Sequence, residues 1–388
     1  EITTRLVGSE MCIRDRFIPV CEPYLAGNEL EYVTDAISTG WISSSGTYVN
    51  RFEEEFAKYC DCKYAVSVCN GTIALHLALL SLDIGIGDEV IIPSFTMIAS
   101  AFAVCYTGAK PVFVDADKDT FNIDVTKIEK KITSRTKAIM PVHIFGKICN
   151  MDAIIALAKK YNLYIIEDAA EAHGATYRGK KAGSFSDVAA FSFFANKNIT
   201  TGEGGMIVTN NEDIAQKAKY FKNVCFPING PRNYSHDDIG YNYRMSNVVA
   251  AIGLAQVEKA DDYRAMRIRN NELYRKYLEG VPGIIFQSLP EEGCIDVCWM
   301  NTIVLDPEKF GHTKDETVTF LKSQNIDTRL LFKSMSRQKS LADFGCDCSG
   351  EYIVTDWLNE NGFYLPSASN LDEETIKNIC RVIKEFQK

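Results

Sequence analysis

The chain predicts an α/β fold: a large domain on a mainly parallel central sheet flanked by helices, then a smaller C-terminal α+β domain. Three observations carry this. A length of 388 residues exceeds one simple core and suits a large domain with a smaller one attached. From about residue 50, strand-like apolar runs alternate with helical stretches, the signature of a parallel sheet covered on both faces. At about residue 261 the texture changes. A charged helical stretch, DDYRAMRIRNNELYRKYLEG, ends at Gly280 and leads into short strands and helices.

The elements follow in order. Residues 51–59 (RFEEEFAKY) are amphipathic and helical, and 64–68 (YAVSV) form a short strand. Asn70-Gly71-Thr72 then opens a helix to Leu80. IGIGDEVIIPSFT reads as turn, strand and loop, with a helix running on through Val104. Strands are expected at 111–114, 137–142 and Leu163–Ile166, and helices near 124–131 and at 151–160. MIVT (206–209) resumes a strand, and the chain closes on an amphipathic helix, 372–387. Residues 17–260 form the expected large domain and 261–388 the small one. Leu6–Arg16 (LVGSEMCIRDR) has neither helical nor strand periodicity, so residues 1–16 are read as a non-native or disordered tail.

Composition excludes several classes. A 46% hydrophobic and 24% charged content is that of a globular chain. With a net charge of −9 and no long basic run, a nucleic-acid partner has no support. The longest apolar runs, such as Ala99–Tyr106, fall short of the roughly 18 residues that span a bilayer, and no secretory signal is visible. The 13 cysteines are odd in number and scattered, which argues for a reducing cytosol rather than a disulfide framework. Cys60/Cys62 and Cys346/Cys348 are C-x-C pairs without the spacing of a zinc site, so no metal is expected.

In a mainly parallel sheet, ligands sit beyond the carboxyl ends of the strands, here the loops after residues 68, 92, 142 and 166. Three segments carry chemistry. In SFFANKNITTGEGGMIVTNN (192–211), Lys197 lies among small and polar residues before a glycine-rich turn. A lysine so placed could form a Schiff base with an aldehyde cofactor, although most lysines are solvated surface charges. In YIIEDAAEAHG (164–174), Asp168 ends an apolar strand. It could face a pyridine nitrogen or merely cap the next helix, and the segment alone does not decide. Ala170 is small enough for a flat ring to lie against. In CNGTIALHLALL (69–80), Gly71 and Thr72 open a helix after a strand. They make either a phosphate site or an ordinary N-cap, and Ser192 could add a hydroxyl.

Together these segments resemble the DegT-type sugar aminotransferases of the fold type I, pyridoxal phosphate (PLP)-dependent superfamily. The resemblance runs from about Phe17 to the C-terminus. Its further landmarks are GNELEYV (27–33), STGWISSSGTYV (38–49), GDEVIIPSFT (87–96), MPVHIFG (140–146), GYNYRMSNVVAAIGLAQ (240–256) and GFYLPS (362–367). The lysine motif is most similar to the perosamine synthase branch. The resemblance implies that Lys197 forms the Schiff base with PLP and moves the proton, and that Asp168 pairs with the pyridine nitrogen. It implies that Gly71, Thr72 and Ser192 hold the phosphate, and that Asn242 reaches the phosphate of the neighbouring subunit's cofactor, making a homodimer with shared sites. Glu171 would face the lysine and the sugar, and Arg329, in IDTRLLF, would lie in a substrate-contacting loop.

Two departures stand out. Met97 replaces the aromatic residue that the family often stacks on the cofactor, and a thioether can still pack there. The loop LLFKSMSRQ (330–338) lacks the usual Pro, His or aromatic residues. The implied reaction takes an amino group, with glutamate as donor, to a 4-keto-6-deoxy nucleotide sugar for surface polysaccharide, in the cytoplasm. An 8-amino octulosonic acid-forming reaction is an alternative. A PLP- or pyridoxamine-dependent sugar dehydratase is another, but that branch carries a histidine where Lys197 stands. A non-catalytic regulatory relative would have lost Lys197 or Asp168.

Overall fold

The computed structural model describes residues 17–228 and 234–387; the expectation for residues 1–16 lies outside them. The large sheet has seven strands: β1 (Tyr64–Val68), β2 (Glu89–Pro93), β3 (Lys110–Val114), β4 (Thr136–Ile139), β5 (Tyr164–Asp168) and, after the two-stranded ribbon β6 (Thr176–Tyr177) and β7 (Lys180–Lys181), β8 (Val188–Ser192) and β9 (Gly205–Thr209). Their order is β1-β9-β8-β5-β4-β2-β3. The pairs β2–β3, β2–β4, β4–β5 and β5–β8 are parallel, and β9 runs antiparallel to both β1 and β8. The expected strand at 137–142 stops at Ile139, because Pro141 has no N–H to continue the ladder.

Successive side chains of a strand point to opposite faces, and the core divides accordingly. Ala65, Ile91, Ile165, Ala189 and Val208 face one apolar cluster. Val66, Ile92, Ile166, Ala190 and Ile207 face another. The first is covered by helices α1 (Glu29–Ser38), α2 (Thr47–Tyr59), α6 (Met151–Tyr161) and α8 (Asn247–Glu258); the second by α3 (Gly71–Ser81), α4 (Ile98–Tyr106) and α7 (Glu212–Lys222). The helix expected near 124–131 is α5 (Val125–Ile128), continued by a 3₁₀ turn. Helix α9 (Ala260–Tyr277) leads to the second sheet, β10 (Ile284–Phe286), β11 (Asn301–Leu305), β12 (Arg329–Leu330) and β13 (Gly362–Leu365), in the order β10-β11-β13-β12. The C-terminal helix Glu373–Phe386 lays Ile376, Ile379 and Ile383 on that sheet's core. Ile18 joins the same core, bridged to Ile326, so the start of the described chain is fastened to the second sheet. A fourth cluster, with Phe95, Phe145, Trp299 and Tyr364, joins the two sheets.

This topology places the site. Strands β5 and β8 are parallel, and β1 shares their direction through β9. The segments after Val68, Asp168 and Ser192 therefore emerge at one edge, the carboxyl edge where such sheets bind ligands. Because β9 turns straight back beside β8, no crossover helix is needed, and residues 193–204 remain as a loop over that edge.

Candidate active site

Lys197 sits in the β8–β9 loop, its amide donating to the Phe194 carbonyl at 2.9 Å. Its side chain is 10% exposed. The amine lies 3.6 Å from the centroid of the Trp299 ring and 3.8 Å from Glu171 Oε1. Burial lowers the amine's pKa, against the opposing charges of Glu171 and Asp168. A buried amine that sheds its proton readily is a nucleophile.

Asp168 ends β5, paired with Ala190 of β8. Its Oδ2 accepts from Ser100 Oγ at 2.7 Å and its Oδ1 from the Ala170 amide at 3.2 Å. Burial raises its pKa, opposed by those two bonds and by Lys197. Among the described residues it forms no ion pair. Glu171, 4% exposed, accepts from the Phe145 amide at 2.7 Å. Phe145 holds a left-handed backbone, φ 56°, a conformation that costs a non-glycine residue about 1–3 kcal/mol. Burial lifts the Glu171 carboxyl to about 7, with Lys197 opposing. A raised carboxyl is protonated below its pKa and charged above it. The pH–rate profile should therefore carry a step near pH 7 that disappears in Glu171→Gln. A step that persists in that variant would belong to another group.

The expected phosphate cradle is assembled. Asn70, not Thr72, caps α3, its side chain accepting from the Ile73 amide at 3.0 Å. The first amides of the helix, at Gly71 and Thr72, are thus left to an outside acceptor. Ser192 closes on them: a Cβ on Gly71 would sit 2.6 Å from Ser192 Cβ, and one on Gly205 would sit 2.3 Å from the Asn70 carbonyl oxygen. Glycine at both positions lets backbone approach backbone. Met97 precedes α4 and is 53% exposed, and Ala170 is partly buried two residues after Asp168.

Two expected residues are held by side chains of their own neighbours. Asn242 is exposed, its Oδ1 accepting from Arg244 Nε (3.1 Å) and Nη2 (2.6 Å). Arg329 lies exposed on β12, bound to both Asp327 oxygens (2.6 and 2.8 Å). It is paired across the sheet with Tyr364. Sequence reading missed Ser100, Trp299 and Arg267. Only Ser100 left a local signal, as a hydroxyl one turn into the helix after PSFT.

A lysine on the loop after β8, a carboxylate ending β5 and an open helix N-terminus after β1 define an enzyme of fold type I, which uses PLP. The residues fit that cofactor: among the described residues, a buried carboxylate that forms no ion pair, a buried amine whose pKa burial lowers, and uncapped helix-start amides beside a hydroxyl. The profile of the DegT/DnrJ/EryC1/StrS aminotransferase family matches residues 23–384, and the chain belongs to that family of PLP-dependent aminotransferases. A GDP-perosamine synthase of Caulobacter vibrioides is 45% identical over 368 residues, 95% of this chain and 98% of its own. Another, of Escherichia coli O157:H7, is 42% identical over 371 residues, 96% and 99%. The solved structure of DesV from S. venezuelae, in complex with a ketimine intermediate, matches with a TM-score of 0.86 at 33% identity, over 92% of this chain and 94% of its own. Among the described residues the cysteines are free thiols, no acidic, histidine or cysteine cluster could hold a metal, and no helix is long and apolar enough to cross a membrane.

Proposed function

We propose that this aminotransferase moves an amino group from glutamate to the keto carbon of a nucleotide-linked 4-keto-6-deoxy sugar, in the cytoplasm, toward surface polysaccharide. The observation that carries the reading is the Lys197 amine, buried against Trp299 and Glu171 at the sheet edge where Asp168 also ends. The sugar class rests on the relatives named GDP-perosamine synthase, and the GDP link is taken from them.

Bound in this site, PLP would supply an aldehyde that condenses with amines and a ring that draws off electrons. Gly71, Thr72 and Ser192 would hold its phosphate, Asp168 would keep its ring nitrogen charged, and Met97 and Ala170 would border its ring. Lys197, whose amine burial inclines toward its neutral form, would carry a proton to and from the substrate carbon. Glu171, titrating near neutrality, would adjust the charge on that amine and meet the sugar, with Arg329 at the outer rim. The direct test incubates the pyridoxamine-loaded protein with GDP- and dTDP-linked 4-keto-6-deoxy sugars. Amination of the GDP-linked sugar is expected. Amination of only the dTDP-linked one would overturn the nucleotide, and of neither, the sugar.

The active unit is proposed as a homodimer in which Asn242 completes the partner's phosphate site. Arg244 engages only its oxygen, which among the described residues leaves its amide nitrogen to donate. A second reading has Asn242 serve its own chain, because the bridge between Val68 and Arg244 sets it near the residues leading to Gly71. Mixing Lys197→Ala with Asn242→Asp chains decides. With shared sites, random reassortment gives half mixed dimers, each with one intact site, and so about a quarter of wild-type activity. No recovery after verified exchange would assign Asn242 to its own chain.

A further inference from the structure

One buried charge is left over by this account. The inward stripe of α9 reads Ala260, Tyr263, Arg267, Asn270, Tyr274, a helical spacing that normally carries apolar residues. Arg267 is 1% exposed. Its Nε donates to Ser369 Oγ at 2.9 Å, its Nη1 to the carbonyls of Trp299 (3.0 Å) and Ser367, and its Nη2 to the Asn196 carbonyl and Cys21 Sγ, both at 3.4 Å. None of these partners is a carboxylate, and among the described residues Arg267 forms no ion pair. Buried charges are ordinarily paired. A guanidinium keeps its charge under all ordinary conditions, so the chain retains an uncompensated cation in its interior.

Its contacts converge on Lys197. The Asn196 carbonyl, in the peptide bond that enters Lys197, also accepts from Trp299 Nε1 at 2.9 Å, and the Trp299 ring is the surface on which the lysine amine rests. One guanidinium thus holds both the backbone entering the lysine and the backbone of the residue beneath it.

We infer that Arg267 is a positioning residue for Lys197: its unpaired guanidinium fixes the main chain around the lysine and biases the lysine amine toward its neutral, nucleophilic form. The inference rests on the proposed role of Lys197 but not on which sugar is used. A cation near an amine disfavours the amine's own charge. The other groups acting on the amine are Glu171, Asp168 and Cys21, which favour the charged form, and burial, which disfavours it most. His173, buried nearby, is itself held neutral by burial and by Lys197, its pKa lowered to about 3.

The test reads the lysine directly. The full chain, freed of PLP, is labelled with trace acetic anhydride across roughly pH 6 to 11, and acetylation at Lys197 is followed by peptide mass spectrometry. Wild-type Lys197 should titrate well below an ordinary lysine. Arg267→Gln should raise its midpoint by roughly half a unit, the guanidinium being the weakest of the named influences on the amine, while Arg267→Lys should largely keep the wild-type midpoint. Ser369→Asp keeps Arg267 and places a carboxylate where Ser369 Oγ meets the guanidinium, and should also raise the midpoint. It therefore serves even if Arg267→Gln does not fold. In the PLP-loaded protein, the pH at which the visible absorbance band changes should move upward in the same variants. An ordinary wild-type midpoint, or an unmoved midpoint in folded Arg267→Gln or Ser369→Asp, would reduce Arg267 to a packing residue. Failure of the sugar assignment would leave every one of these titrations unchanged.

Discussion

Lys197→Ala should abolish covalent attachment of the cofactor and lower turnover by roughly 10⁴-fold or more, since it removes the nucleophile and the proton carrier at once. The purified wild-type protein should be yellow, and borohydride should fix the cofactor to the peptide bearing Lys197. In the variant the same treatment should leave the cofactor dialysable. Cofactor should still bind, because the Gly71–Thr72 amides, Ser192 and Asp168 are untouched. The fold should also survive. Lys197 is a buried amine whose charged form is disfavoured, so truncation removes a group costly to bury. The small cavity against Trp299 offsets part of that gain. The loop is held by bonds that do not involve the side chain: Phe193 N to the Gly204 carbonyl (2.8 Å) and Thr201 N to the Phe193 carbonyl (2.9 Å). A borohydride adduct on another lysine of the variant would identify that lysine as the anchor.

What the sequence made legible follows from how local each signal was. Tyr64–Val68 forms the strand its apolar run announced, and the helix after it begins at Gly71, because a β-branched run, a turn and a helix start are properties of neighbours in the chain. The strand ending in Glu167-Asp168 was legible for the same reason. Strand direction was not: MIVT reads identically whichever way it runs, and only the absence of a crossover helix before it shows that β9 turns back. Trp299 and Arg267 were invisible because their meaning is non-local. CWMN and MRIRN contain no turn or cap signal, and the contact of each with the Lys197 loop spans 70 residues or more. The second sheet thus supplies the lysine's surroundings while the first supplies the lysine. That division explains why the segments that announced the lysine chemistry all lie before residue 260.

Asp168→Asn should separate stability from activity, because the two effects carry opposite signs. The change is nearly isosteric, and the new amide oxygen can still accept from Ser100 Oγ or the Ala170 amide. The backbone around it is set elsewhere, by Asp168 N to the Pro141 carbonyl (2.9 Å) and His143 N to the Asp168 carbonyl (3.1 Å). His143 in turn reaches Glu167 Oε2 at 2.9 Å on the other face of the strand, so the loop should keep its shape. Burial raises the Asp168 pKa in the folded chain. A carboxyl raised on folding contributes stability below its unfolded pKa, near 3.8, and loses it as pH rises through the folded value. At neutral pH, above the unfolded value, keeping the Asp168 carboxyl buried in the cofactor-free chain is therefore a cost, which asparagine removes. Without PLP, the variant's melting temperature should equal or exceed that of wild type. With PLP the order should reverse, since only a carboxylate can hold a charged ring nitrogen and be held by it. Turnover should fall by roughly 10²-fold or more, because a ring that does not stay protonated is a poor electron sink. The decisive measurement is the pair of melting temperatures, with and without PLP, beside the rate. If the variant keeps near-wild-type turnover and the same gain in melting temperature on binding PLP, Asp168 is a strand-end hydrogen-bonding residue, and the ring nitrogen faces some other group.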